Sequence, residues 1–267
     1  MGNSEDSFFT DQLGRQVQIK GIPQKIISLV PSQTEYLSDI GLNKEIVGIT
    51  KFCVHPEEIF RSKTRVGGTK NIDFDKIKQL DPDLIICNKE ENQKEQIEAL
   101  MQLYPVWVSD IKTLEDAFEM MEITGKITGK ETQALKLINE IKEQFLLLSP
   151  LNSIPLKVAY FIWKKPYMVA ASDNFIDHLI EKCGLTNVFK DHPLRYPTIS
   201  SLELNDYQPD LIFLSSEPYP FKENHIQEFK QLYPFADVKI VDGEMFSWYG
   251  SRLRLSPAYI NDLLKQL

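Results

Sequence analysis

The sequence contains no apolar run near the roughly 18–20 residues with which a helix crosses a bilayer. A membrane-spanning chain is therefore not expected. Its opening, MGNSEDSFFTDQLGRQVQIKGIPQK, has no apolar core of the roughly 7–15 residues that a secretory leader needs. There is no long basic run, and the net charge is −8, which excludes the clustered Lys and Arg that nucleic-acid phosphates require. Cysteine is scarce: Cys53, Cys87 and Cys183 are an odd number and form no C-x-x-C, so three unpaired thiols in apolar settings are expected rather than a disulfide framework.

Catalytic signatures are missing too. There is no G-x-G-x-x-G, and the nearest approach to a phosphate loop, Gly125 to Thr132, has the wrong spacing. No G-x-S-x-G elbow occurs. His55, His178, His192 and His225 lie far apart, and no pair has the i, i+4 spacing of a helix-borne metal site. No catalytic residue, metal ligand or intrinsic cofactor is assigned, and the chain is read as a binding protein rather than an enzyme.

What is present is alternating α/β punctuation over 267 residues, enough for two small domains. FFTDQ and RQVQI flank Leu13-Gly14 as a hairpin. KIISLV (25–30), EIVGIT (45–50), LIIC (84–87) and PVWV (105–108) read as buried strands, with Ser32 or Thr34 capping the first helix. Helices are expected from Asp73, over 91–103 and over 113–125. GKETQALKLINEIKEQFLLLS (129–149) has no internal Gly or Pro and keeps a helical period, predicting a rod of roughly 30 Å at 1.5 Å per residue. A second set follows: KVAYFIW, KPYMVAA, a helix capped by Asp173, a helix around 200–207, LIFL, a helix near 223–232, VKIV, and a helix from Ser256 to Leu267.

FDKIKQLDPDLIIC (74–87) and LELNDYQPDLIFL (202–214) share one layout: a short amphipathic helix, x-Pro-Asp, then a Leu-Ile strand. One copy falls in each half. The reading is an α/β protein of two Rossmann-like lobes with mostly parallel sheets, residues 1–128 and 150–267, joined by one long backbone helix over 129–149. Ligands of open parallel sheets bind outside the carboxyl ends of the strands. Here those ends carry aromatics beside charges: Phe52 and His55; Asn88 and Glu90; Trp163 and Tyr167; Glu217 and Tyr219; Phe246, Trp248, Tyr249 and Arg252. Lys70, after Gly67-Gly68, completes the candidate ligand-binding set. Aromatic faces suit a large flat ligand and the charges would orient it, which places the expected site in a cleft between the lobes.

KIISLVPSQTEYLSDIGL followed by EIVGIT resembles the opening of substrate-binding proteins of ABC importers for cobalamin, iron–siderophores and haem, the helical-backbone metal receptors. IKQLDPDLII and LNDYQPDLIFL resemble that family's paired helix–strand elements, and SSEPYPFKENH with VDGEMFSWYGSR looks like its cobalamin-binding branch. The resemblance covers about residues 8 to 265. It implies a monomer that delivers a metal chelate, corrinoid or ferric siderophore, to an ABC permease and its ATPase. Asp75 and Glu203 would be the acidic residues offered to the permease, although Leu202 stands at the strict match in the second lobe. Where the cobalamin branch carries further stacking rings, this chain has Thr69 or Lys70, and Asn88. The resemblance implies a periplasmic or other extracytoplasmic location. With no signal peptide in the chain, a cytoplasmic cofactor-binding protein of the same fold is the alternative. An enzyme on a nitrogenase-component-like scaffold ranks last.

Overall fold

The computed structural model describes residues 6–151 and 156–267. The first half runs β1 (Asp6–Thr10), β2 (Gln16–Lys20), β3 (Ile26–Ser28), α1 (Pro31–Asp39), β4 (Ile46–Ile49), α2 (Glu57–Ser62), β5 (Thr64–Arg65), α3 (Phe74–Leu80), β6 (Leu84–Asn88), α4 (Lys94–Met101), β7 (Val106–Ser109), α5 (Leu114–Ile127) and α6 (Glu131–Leu146). The second runs β8 (Lys157–Trp163), β9 (Tyr167–Ala170), α7 (Phe175–Lys182), β10 (Thr186–Asn187), β11 (Thr198–Ile199), α8 (Ser201–Tyr207), β12 (Leu211–Ser215), α9 (Glu223–Leu232), β13 (Asp237–Val241), α10 (Glu244–Ser247), a 3-10 turn (Ser251–Arg254) and α11 (Ser256–Leu264).

Packing divides the chain into two compact units. One holds the chain through Ile111, with Glu115–Lys142 and Tyr249–Arg252; the other holds Lys112–Leu114, Glu143–Trp248 and Leu253–Leu267. The continuous halves read from the sequence do not include the return of Tyr249–Arg252 to the first unit.

In the first unit the sheet order is β5-β4-β3-β6-β7, and each neighbouring pair is parallel. β3, β6 and β7 are buried along their whole length. That is why they read as continuous apolar runs: helices cover both faces of a parallel sheet. The β1–β2 hairpin is antiparallel, and its turn closes through Gly14 N–H to the Asp11 carbonyl at 2.9 Å. Asp11 Oδ1 also accepts from the Leu13 and Arg15 amides at 3.0 and 2.9 Å, and Arg15 pairs with its carboxylate.

In the second unit the order is β11-β9-β8-β12-β13, with β10 beside the start of β8. β8, β12 and β13 are parallel, while β9 turns back antiparallel on β8. Phe161, Phe189, Ile212, Leu214 and Phe229 are fully buried at the centre of its core.

The internal echo has a common mechanism. α3 and α8 each end on a residue in the left-handed region, Asp81 at φ 48° and Gln208 at φ 46°. The Asp of each Pro-Asp then clamps the start of the neighbouring strand. Asp83 accepts from the Gln24 and Lys25 amides at 2.8 and 2.9 Å, and Asp210 accepts from the Lys157 amide at 2.8 Å. β6 therefore pairs with β3, and β12 with β8, by one local device.

Several expectations are corrected. α1 has no side-chain cap: Pro31 opens it, which places Ser32 and Thr34 inside, and Thr34 Oγ1 donates back to the Val30 carbonyl at 2.9 Å. α7 is capped by Asn174, which accepts from the Asp177 amide at 3.0 Å, while Asp173 sits at φ 59°. The expected rod over 129–149 is shorter: Gly129, at φ 67°, separates α5 from α6, whose 16 residues span roughly 24 Å. Leu146 and Leu147, both exposed, find no apolar surface to prolong it.

Gly184, just past α7, has φ 74°, and a Cβ there would lie 2.5 Å from the Leu151 carbonyl oxygen. Gly184→Ala is expected to lower stability by about 1–2 kcal/mol, from left-handed strain and this clash. Urea unfolding measures it; an unchanged midpoint would mean that the segment around Leu151 yields freely.

Candidate functional site

The sheet of the second unit brings one end of three adjacent strands together. Trp163 ends β8, Glu217 and Tyr219 follow β12, and Phe246 and Trp248 follow β13. Trp163, 39% exposed, meets Tyr219 edge-on with ring centroids 5.6 Å apart. The Tyr219 amide donates to the Ile162 carbonyl at 3.3 Å, so the loops after β8 and β12 are joined by backbone as well. Tyr219 also lies against Phe221 and His225. Burial, with the nearby Lys164 ammonium, holds the His225 imidazole below its ordinary pKa.

Glu217 is the hub of the loop after β12. Its Oε1 accepts from the Ser247 hydroxyl at 3.0 Å and from the Trp248 indole N–H at 2.7 Å. Burial pushes its carboxyl up to about 7, against the pull of the Ser247 and Trp248 hydrogen bonds; Glu244 and Asp242 add to the rise. Phe246 reaches no solvent. It packs beneath the loop on Tyr160, Phe213 and Tyr259, so its expected role as a ligand contact is corrected to that of an anchor.

Tyr167 stands apart from this group. Its ring packs on Phe161 and Phe229, and its hydroxyl donates to Glu228 Oε1 at 3.2 Å. Lys164 pairs with the same carboxylate and holds it below its ordinary pKa. Burial and the Glu228 charge push the Tyr167 phenol up to about 12.

In the first unit, Phe52 is half exposed, with Lys51 Nζ 5.0 Å from its ring centroid. A Cβ on Gly68 would lie 3.2 Å from that ring, so the glycine lets Phe52 settle on the loop after β5. Lys70 Nζ donates to the Glu90 carbonyl at 2.6 Å, joining the loops after β5 and β6. Asn88 is corrected from ligand contact to loop brace. It is buried, its Oδ1 accepts from the Glu90 and Glu91 amides, and its Nδ2 donates to Ser109. His55 is partly buried in the loop after β4.

Residues 249–252 pack on the same unit. Tyr249 donates to Glu91 Oε1 at 3.4 Å. Arg252 grips Glu35 with both ends of its fork, Nε to Oε2 at 3.1 Å and Nη2 to Oε1 at 2.7 Å. A Cβ on Gly250 would lie 3.2 Å from the Ser32 carbonyl. Glu35 and Glu91 were missed in the sequence because an acid in a helix such as α1, or at the turn before one, reads as solvated surface. Ser247 and Glu228 carry no local signal.

Of the two acids expected to face a permease, Asp75 is exposed in the first turn of α3. Glu203 is committed locally: its carboxylate accepts from the Ser200 amide at 2.6 Å and completes a capping box, which lowers its pKa.

A cavity of about 650 Å³ lies at the other end of this sheet, lined by Lys157, Asp210, Tyr233 and Phe235 among others. It touches the amino ends of the strands and none of the residues above. Among the described residues no three His, Cys, Asp or Glu side chains converge as a metal site needs, and no helix is long and apolar enough to cross a membrane.

The sequence profile of the periplasmic binding protein family matches residues 26–237. The chain belongs to this family. A vitamin B12-binding protein of Pectobacterium carotovorum subsp. carotovorum (strain PC1) is 25% identical over 251 residues, 92% of this chain and 90% of that protein. The periplasmic vitamin B12 binding protein of Vibrio cholerae matches with a TM-score of 0.75 at 22% identity, over 91% of this chain and 97% of that one. The periplasmic heme binding protein of the same organism gives 0.74 at 19% identity, over 90% and 98%. The two-lobed α/β fold with parallel sheets is thereby shared with periplasmic binding proteins. The family and these relatives are binding proteins, not enzymes.

Proposed function

We propose that this periplasmic binding protein captures a corrinoid or a related metal chelate and delivers it to an ABC permease. The observation that carries the reading is the Trp163–Tyr219 and Glu217–Trp248 pairing at the carboxyl ends of β8, β12 and β13. Trp163, 39% exposed, and the half-buried Tyr219 offer stacking surface to a flat chelate, with the 6% exposed Trp248 buried in the loop after β13, and neighbouring polar groups can meet the chelate's amide or carboxylate rim. Within the first unit, the half-exposed Phe52 carries Lys51 over its ring, a pairing that also suits a flat ligand with an acidic rim. The B12-binding relative, similar over nearly the whole chain, supports the same ligand class. A ferric siderophore is the second reading: the resemblance implies stacking rings in the cobalamin branch where this chain has Thr69 or Lys70, and Asn88, and Lys51 and Lys165 favour an anion. Asp75 is the acid proposed to meet the permease.

Titration with cyanocobalamin, haemin and a ferric siderophore, followed by tryptophan fluorescence, tests the proposal. One of the three is expected to bind with a Kd below about 10 μM, near 7 kcal/mol. Trp163→Ala or Trp248→Ala is expected to weaken that binding tenfold or more. Failure of all three ligands would reject the ligand class; unchanged affinity in both variants would move the contact surface elsewhere.

A further inference from the structure

Trp248 is held on two sides. Its amide donates to the Glu244 carbonyl at 3.1 Å as the last link of α10, and its indole N–H is fixed by Glu217. Glu217 is itself tightly placed. Ser215 Oγ donates to its carbonyl at 2.5 Å, Tyr160 donates to Ser215 Oγ at 3.2 Å, and the Gly243 amide donates to Ser216 Oγ at 3.0 Å. The chain at Gly243 passes so close that a Cβ there would lie 2.6 Å from Glu217 Cγ. Rigid backbone on both sides thus brings one carboxylate oxygen to two donors at once. An apolar side chain at this point would take the acceptor from the indole N–H and the Ser247 hydroxyl, whereas a glutamine could keep it without an acid beside Asp242 and Glu244.

We propose that Glu217 is a positioning residue of the ligand site, setting the Trp248 indole through Oε1 and making that setting respond to protonation. The inference rests on the reading of the loops after β8, β12 and β13 as the ligand site; Trp248, 6% exposed, shapes that site from within the loop. The groups acting on Glu217 are Asp242 and Glu244 from the segment after β13 and Tyr160 from β8, through Ser215; Tyr259 from α11 accepts from the Asp242 amide. As a carboxylate, Oε1 makes charge-assisted hydrogen bonds, roughly twice as strong as neutral ones. As a neutral acid it still accepts, but weakly. The partly buried carboxyl, pushed up to about 7 by burial and the two acids, crosses between these states near neutrality. Above that pH the bond to the indole is charge-assisted; below it the same bond is weaker.

The linkage has a definite sign. A carboxyl raised above its unfolded value holds extra protons in the folded state, so its stabilising share is present at low pH and lost as pH rises from the ordinary Glu range through about 7. Glu217→Gln cannot ionise. It should therefore unfold at higher urea than the wild type at pH 8, with the difference gone at pH 4.

The deciding experiment follows the three indole N–H resonances of ¹⁵N-tryptophan-labelled protein from pH 5 to 9, with that of Trp248 identified by its loss in Trp248→Phe. In the wild type this resonance should titrate with a midpoint near 7. In Glu217→Gln, which keeps an accepting Oε1, it should stay dispersed and flat; in Glu217→Ala it should move to the position of an unbonded indole. For whichever chelate binds, the affinity ratio of wild type to Glu217→Gln should fall severalfold from pH 8 to 6. A wild-type resonance that does not titrate would overturn the proposal. So would a titration that persists in Glu217→Gln, which would assign the proton to His225 or another group. If no chelate binds while the resonance behaves as expected, the ligand reading fails and the positioning role stands.

Discussion

Phe246→Ala is expected to lower the unfolding free energy by about 3–5 kcal/mol, the range for removing a large ring from a filled core. The ring is fully buried and lies 5.4 Å from Tyr160, 6.3 Å from Phe213 and 6.4 Å from Tyr259, centroid to centroid. It therefore ties β8, β12 and α11 to a helix of only 4 residues, one with no side-chain cap. A single helical turn has little stability of its own, because nucleation costs more than one turn of hydrogen bonds returns. α10 exists because Phe246 is buried. Losing the ring leaves a cavity beneath Ser247 and Trp248, so the variant should also free the Trp248 indole. Urea unfolding followed by far-UV circular dichroism gives the first effect and the indole resonance the second. Phe246→Leu should lose less than half as much. A loss below about 1 kcal/mol in Phe246→Ala would mean that the segment collapses without strain and that the three-sided packing is not what holds it.

The same residue shows what a sequence can and cannot tell about a site. FSWYGSR stands out as the richest aromatic stretch in the chain, and it follows β13 as read, although Phe246 and Ser247 close α10 and Ser251 and Arg252 open the 3-10 turn. That both Phe246 and Trp248 turn inward depends on a one-turn helix that is too short to leave a period. Asn88 failed for a related reason: an Asn after a strand reads equally as a ligand contact or as an Asx brace, and only the positions of the Glu90, Glu91 and Ser109 partners decide. The fold was far more legible. Apolar runs gave the central strands, and the Pro-Asp echo marked the matching helix–strand pairs. Short elements such as α2, β5, β10 and β11 were missed, since two to six residues carry no periodicity. The Glu217–Trp248 bond spans 31 positions, and the Arg252–Glu35 pair 217. No window along the chain could join them.

That long-range pair is the site of the second large effect. Glu35→Ala is expected to cost about 2–4 kcal/mol, at or slightly below the range for breaking a buried ion pair. The two side chains are 12% and 16% exposed, so little water can replace the lost carboxylate. The cost comes mainly from leaving the Arg252 guanidinium largely buried without the oxygens it grips, not from the attraction itself. Removing both charges should thus hurt less than removing one: Glu35→Met with Arg252→Met is expected to recover at least half of the loss seen in Glu35→Ala. Arg252→Lys should not substitute, because a single ammonium cannot make the two parallel bonds of the fork. Urea unfolding of the wild type and the three variants measures these differences. If Glu35→Ala alone is neutral, Arg252 finds other acceptors as good as Glu35. If it is costly as expected, Glu35 is what fastens residues 249–252 to the first unit. That segment begins one residue after Trp248, whose own indole is fixed by Glu217, so the loss in Glu35→Ala should leave the Trp248 indole resonance in place.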